Sequence, residues 1–343
     1  MNTPILLRLA ALLSGLAISR AAEPTVVHAE KFHRTFSAVH PVLKRIRAGE
    51  LIATKTIDSG GRDEQGVERA PGGNPLTGPF FVEGAEPGDA LLVHFHQVRL
   101  NRSWGTTSAR LGMFALTPES IAALHPMYLP NYLPDKVTPG KANRVKWDID
   151  LARGVVRLTD PQSAVAKLEF PVKPMLGCVG VAPAGEFAPT STPAGPYGGN
   201  LDYNQIGEGA TVMLPVFHPG ALLFLGDGHA LQGDGEPTGN GVEISMAVQF
   251  TVTVKKAAKL TGPRVETADY IISVGSQPEF VSSLDRALQL ATSDMSTWLI
   301  EEFKMEPWAA HLLIGFQGKY DVITVAGSMG LRIPKRYLPA RPR

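Results

Sequence analysis

Glycine and proline interrupt this sequence at short intervals from end to end, 35 and 28 of them among 343 residues, in no repeating unit. Many turns joining short strands account for such punctuation. Hydrophobic residues make up 44% of the chain, enough core for one large domain or two ordinary ones at this length. Charged residues make up 19% and the formal net charge is +1. That balance lacks the basic stripe of a nucleic-acid binder and the polybasic patch of a membrane-surface protein.

The apolar pattern agrees. Ala90–Leu100 and Val242–Val254 alternate as half-buried strands do. Thr25–Thr35, Leu51–Ile57, Phe80–Gly84, Val165–Val172, Thr211–Val216 and Leu222–Leu225 read as further strands, and Asn143–Leu158 as two strands joined at Leu151–Gly154. Ser59–Pro79 is a long polar loop, of a kind often functional in compact domains. Arg110–Gly140 is a proline-rich excursion with one short helix near Pro118–Leu124. Helix is concentrated late. Ser283–Phe303 sets Leu284, Ala287, Leu288, Ala291, Met295 and Leu299 on one face behind a Ser283 N-cap, and Pro307 opens a second helix to about Phe316. Tyr320–Val325 reads as a last strand and Leu331–Arg343 as a basic tail. The expected class is mostly β, α+β: sandwich- or barrel-like sheets with a small group of helices near the C-terminus.

Residues 1–22 read as an export signal. A weakly charged start precedes the apolar stretch Leu6–Ile18, and Ser19-Arg20-Ala21-Ala22 offers small residues for cleavage. The stretch is short of the roughly 20 residues that span a bilayer. The expectation is a periplasmic or secreted protein, with residues 23–343 forming a single catalytic region that admits two subdomains. Cys178 is the single cysteine, so no internal disulfide is available. Its small apolar neighbours supply no base, and it reads as a buried side chain.

The strongest chemical signal is Gly226-Asp227-Gly228-His229-Ala230-Leu231-Gln232-Gly233-Asp234-Gly235-Glu236, which packs one imidazole, three carboxylates and four glycines together. Carboxylates this close resist joint burial unless a cation or a shared proton lies among them. The glycines allow tight turns at positive φ. Further candidates are Asp58 at a strand end, Asp202 within Gly198–Asn204, and Glu243, which a turn after Glu236 could bring back to the motif. Asp58 and Asp202 are equally well turn residues. No Gly-x-Ser-x-Gly elbow, P-loop, EF-hand loop or His-Glu-x-x-His is present.

With these residues in view, the chain resembles the acetamidase/formamidase family from about Thr54 to Pro334. The likeness is carried by Thr56-Ile57-Asp58, by Thr77–Asp89, by Pro174–Gly177 with Gly180–Pro183, by Gly198–Asp202, by Leu214–Val216, by Pro219–Leu222 and, most specifically, by the 226–236 motif. The resemblance implies a mainly β fold and hydrolysis of a short aliphatic amide to a carboxylate and ammonia. It also implies a divalent metal, zinc before calcium, with Asp58, Asp202, His229 and Glu243 as ligand candidates. Glu236 is assigned proton transfer beside His229, and Asp227 and Asp234 are expected to orient His229. A homo-oligomer is expected, with a small amide as partner and neither nucleic acid nor stable membrane association. The competing readings are an exported calcium-stabilised binding or scaffold protein, and a hydrolase of a related imide or carbamate. His229 discriminates against the first, because a hard-cation site has little use for imidazole.

Overall fold

The computed structural model describes residues 23–123, 144–160, 162–276 and 283–341. The segment read as an export signal and most of the Arg110–Gly140 excursion lie outside these residues. Two large sheets dominate, one of nine strands and one of eleven. The nine-stranded sheet is organised on Ala90–Leu100 and Met246–Lys255, which pair antiparallel along their whole lengths. Both alternate buried and exposed residues, so one face of the sheet turns inward. Phe80 from the eleven-stranded sheet meets Phe250 from the nine-stranded sheet edge-on, with ring centroids 5.3 Å apart. Phe95, Val212, Leu225 and Val248 belong to the same buried core.

The helices follow the C-terminal part of the chain, as the periodicity predicts. Leu284–Glu301 starts at Ser283, whose hydroxyl accepts from the Arg286 N–H at 3.3 Å. This helix and Pro307–Gln317 cover the end of the nine-stranded sheet and form a second core with Met213, Ile271, Leu331 and Ile333. Gly275 permits the contact: a Cβ there would lie 1.9 Å from the Ala287 carbonyl oxygen. The buried stripe is Ala287, Ala291, Met295, Trp298 and Leu299. Leu288, expected on that stripe, is 39% exposed, and Trp298 joins the buried residues.

Four strand expectations change. Thr25–Thr35 reduces to Thr25–Val26. Val165–Val172 reduces to Glu169–Pro171, because Val165 has no layer to bury against and stands exposed. The segment read as a basic tail begins as the strand Ser328–Pro334, held on both sides by Tyr270–Gly275 and Lys319–Thr324. Most important for the site, the strand expected to stop at Leu225 runs from Leu223 to His229 and is buried throughout. The first four residues of the acidic motif are therefore sheet. Among the described residues no helix is long and apolar enough to cross a membrane.

Candidate active site

The site begins with strand register. Leu223–His229 pairs with Met175–Val181 on one side and Glu243–Ile244 on the other, and His229 is the direct partner of Glu243. Directly opposed residues on one face meet, and His229 Nε2 lies 3.1 Å from Glu243 Oε1. Asp227 stands two residues before His229, hence on the same face of the strand. Its Oδ1 lies 3.5 Å from the same Nε2. Asp202 arrives from the turn after Gly198–Asn200, anchored by its N–H on the Gly177 carbonyl at 3.1 Å. Gly177 has no room for a side chain: a Cβ would lie 2.4 Å from Asp202 Oδ1 and 2.7 Å from Asp227 Oδ2.

Asp202, Asp227, His229 and Glu243 are only 1–3% exposed. Asp202, His229 and Glu236 bring ligand atoms within 4.8 Å of one another, and so do Asp227, His229 and Glu243. The backbone is strained to do it. Asn74, Asp202, Asp227 and Glu236 all hold φ between 44° and 54°, a region that disfavours side chains other than glycine's and recurs at functional sites.

Amides fix the cluster from behind. Asn74 Nδ2 lies 3.1 Å from both Asp227 Oδ2 and Asn200 Oδ1. Asn200 Nδ2 donates to Asp202 Oδ2, and the Cys178 thiol donates to Asn200 Oδ1 at 2.8 Å. Cys178 is fully buried as expected, and burial, with Asp227 and Asp202 nearby, pushes its thiol far above the usual range. Gln232 was not anticipated. Its Nε2 donates to the Asp202 carbonyl, at 2.5 Å, which leaves Oε1 to accept from His229 Nδ1 at 2.7 Å. The imidazole therefore carries its proton on Nδ1 and turns Nε2 toward the carboxylates. The only sequence signal for Gln232 is an amide three residues beyond His229 in an otherwise acidic motif.

Four buried polar atoms of this cluster have no hydrogen-bond partner: Asp202 Oδ1, Asp227 Oδ1, Glu243 Oε2 and His229 Nε2. Burial raises the affinity of Asp202, Glu236 and Glu243 for protons, and their mutual repulsion adds to it; Glu236 is pushed up to about 8. Burial would lower the affinity of His229, but Glu243 and Asp227 outweigh it and raise it well above the ordinary value. Burial also acts to raise Asp227, yet His229 holds it below the usual carboxylate range. A divalent cation fits this arrangement. The donors are carboxylate oxygens and one imidazole with its Nδ1 already engaged.

Two expected residues sit elsewhere. Asp58 is 2.6 Å from Arg102 Nη2 through Oδ2 and accepts from the Arg62 N–H at 2.8 Å through Oδ1. Both oxygens are occupied, so it is not a free ligand. Arg102 also donates to the Glu243 carbonyl at 3.3 Å, so Asp58 supports the strand behind Glu243. Asp234 is exposed and accepts from Asn204 Nδ2 at 2.7 Å; Gln232, and not Asp234, orients His229. Asp227, expected to act from behind, stands in the front rank. Glu236 is the partly exposed member of the cluster. Its loop is pinned by the Gly235 N–H on the Val322 carbonyl at 2.6 Å and the Val325 N–H on Gly235 at 2.8 Å.

Residues 184–285, which include Asp202, Asp227, His229, Glu236 and Glu243, match the sequence model of the Acetamidase/Formamidase family. A putative formamidase of Schizosaccharomyces pombe is 28% identical over 214 residues, covering 52% of this chain and 51% of the relative. The chain spans about half the length of the curated relatives it matches. The crystal structure of an acetamidase from Bacillus halodurans superposes with a TM-score of 0.72 at 26% identity, covering 91% of this chain and 98% of that one. An acetamidase structure from Yersinia enterocolitica gives 0.74 at 26% identity, covering 94% and 96%.

Proposed function

We propose that this chain, a member of the acetamidase/formamidase family, cleaves the C–N bond of a short aliphatic amide of the formamide or acetamide type, giving a carboxylate and ammonia. The observation that carries the reading is the buried cluster of unpartnered acceptors at Asp202, Asp227, Glu243 and His229. These four residues would hold a divalent cation, zinc first and calcium second. When bound, the cation supplies the positive charge that polarises an amide carbonyl and acidifies water.

The protein's own residues do the rest. Gln232 keeps the His229 proton on Nδ1, so that Nε2 remains a donor of electrons. Asn74 and Asn200 lock the Asp227 and Asp202 carboxylates, so no reorganisation is required as charge develops. Glu236 takes the proton from attacking water and returns it to the departing nitrogen; a carboxylate pushed up to about 8 is matched to that exchange near neutral pH. Gln232 also lines a surface cavity of about 360 Å³, together with Thr107, Trp147, Phe170 and Gly241, which is room for a short amide. Export to the periplasm or outside the cell accompanies this reading.

The test is ammonia release from formamide, acetamide and a bulkier amide. Hydrolysis of the two short amides is expected, with loss on chelation and return on adding metal. Glu236→Gln should keep its metal and its fold while turnover drops about 10²–10⁴-fold. Unchanged turnover in a metal-replete Glu236→Gln protein would remove Glu236 from the reaction.

A further inference from the structure

The long polar loop begins with a buried hydroxyl. Ser59 is only 6% exposed, and its Oγ has no hydrogen-bond partner. A serine hydroxyl offers one donor and two acceptors, and burying it unpaired is unfavourable. Such a group in a native fold calls for a specific explanation.

The chain on either side of Ser59 is fixed. Lys55 pairs with Ala247, and the Thr56 N–H donates to the Met246 carbonyl at 3.0 Å. Three residues further along each antiparallel chain, Ser59 comes alongside Glu243. Arg102 holds the two segments together there: its Nη2 donates to Asp58 Oδ2 at 2.6 Å and to the Glu243 carbonyl at 3.3 Å. The Ser59 carbonyl accepts from the Gly73 N–H at 2.9 Å and from the Asn74 N–H at 3.2 Å. Asn74 in turn donates to Asp227. With its backbone tied on both sides, Ser59 has little freedom beyond the rotation of its O–H. Beside it, Glu243 Oε2 is a buried acceptor that also lacks a partner. Burial dominates the Glu243 carboxyl and raises its affinity for protons; His229, and after it the Ser59 hydroxyl, act the other way.

We propose that Ser59 is a positioning residue for Glu243: its O–H donates to Glu243 Oε2 and leaves Oε1 turned toward His229 Nε2 and the divalent cation assigned to the cluster. The inference rests on the reading of that cluster as a cation site. Glu243 Oε1 lies 3.1 Å from His229 Nε2, so one orientation of the carboxylate serves both oxygens. The other candidate ligands have a partner of the same kind. Gln232 stands behind His229, Asn74 behind Asp227 and Asn200 behind Asp202. Ser59 completes the set at Glu243. Partners of this kind fix the orientation of metal ligands and raise affinity for the ion.

Zinc affinity of the purified chain, measured by equilibrium dialysis, tests the assignment independently of turnover. Ser59→Ala should weaken zinc binding about 10–100-fold, as expected for loss of a partner behind a ligand, while the metal-free protein melts as the wild type does. Ser59→Thr keeps the hydroxyl and should keep most of the affinity. Zinc bound as tightly by Ser59→Ala as by the wild type would overturn the proposal. An affinity loss matched by a lower melting point of the metal-free protein would also overturn it, because Ser59 would then act through packing. A wild-type chain that takes up no zinc would overturn it together with the cation reading. Zinc binding that weakens in Ser59→Ala, in a wild-type chain that releases no ammonia from any amide, would uphold Ser59 and end the amide reading alone.

Discussion

Two buried acidic regions lie on either side of one short strand, and they solve the same electrostatic problem in opposite ways. At Asp58 the chain supplies its own cation. Arg102 is as deeply buried as its partner, stacks 3.8 Å over the Trp104 ring and donates to three further acceptors or carbonyls around the pair. At Asp202, Asp227 and Glu243 the chain supplies three carboxylates and a single imidazole, and leaves four polar atoms without partners. Arg102 touches both regions, through the Asp58 carboxylate and the Glu243 carbonyl. The difference separates structure from chemistry. A guanidinium closes the first cluster permanently, whereas the second is balanced only by protons or by a bound cation.

The largest expected effect comes from breaking the closed cluster. Arg102→Met leaves Asp58 charged and buried, and should cost about 3–5 kcal/mol of stability in chemical denaturation. Adding Asp58→Asn should recover most of that loss. Failure of the second change to help would mean that Arg102 acts chiefly through Glu243. The open cluster should respond differently. Gln232→Leu removes the acceptor that holds the His229 proton on Nδ1, and should weaken metal binding about 10–100-fold while moving the unfolding midpoint of the metal-free protein little. Equilibrium dialysis against zinc measures the first quantity and thermal melting the second.

The smallest effect is a pH slope. Asp202, Glu236, Glu243 and His229 all hold protons more tightly in the folded than in the unfolded chain. Their contribution to stability is therefore present at low pH and lost as pH rises; for Glu236 the loss runs from about 4.5 through about 8. Asp227 is shifted the other way: its contribution is present above the usual carboxylate range and is lost as pH falls through its lowered folded value. The metal-free protein should melt a few degrees lower at pH 8.5 than at pH 5.5, at about 2–4 °C per kcal/mol for a chain of this size. Glu236→Gln should flatten that slope, because the glutamine has no proton to lose. An identical slope in both proteins would show that the cluster does not titrate as described.

Much of this contrast is readable in the sequence, because charge density is a local property. The 226–236 motif announces an acidic site without any knowledge of the fold. Strand register is not local. His229 meets Glu243 because Leu223–His229 continues four residues beyond the apolar run Leu222–Leu225, and glycine-rich polar sequence hides that continuation. The same blindness makes Asp58 look like a ligand: its partner Arg102 is 44 residues away, in a segment with no motif of its own. Gln232 escapes notice since an amide carries no charge to mark it. The helices are legible by periodicity, yet Leu288 stays out of the buried stripe and Trp298 joins it, because the neighbouring helix and sheet, and not spacing alone, choose the buried side.

The central claim is that the open cluster is completed by a metal and the closed one is not. The direct measurement is metal content of the purified chain by elemental analysis, read beside amide hydrolysis before and after exhaustive chelation. Our account predicts one bound divalent cation per site, lost in His229→Ala and retained in Asp58→Asn, with ammonia release from formamide or acetamide falling and returning as the metal is removed and restored. A chain that carries no metal and hydrolyses these amides undiminished after chelation would contradict it.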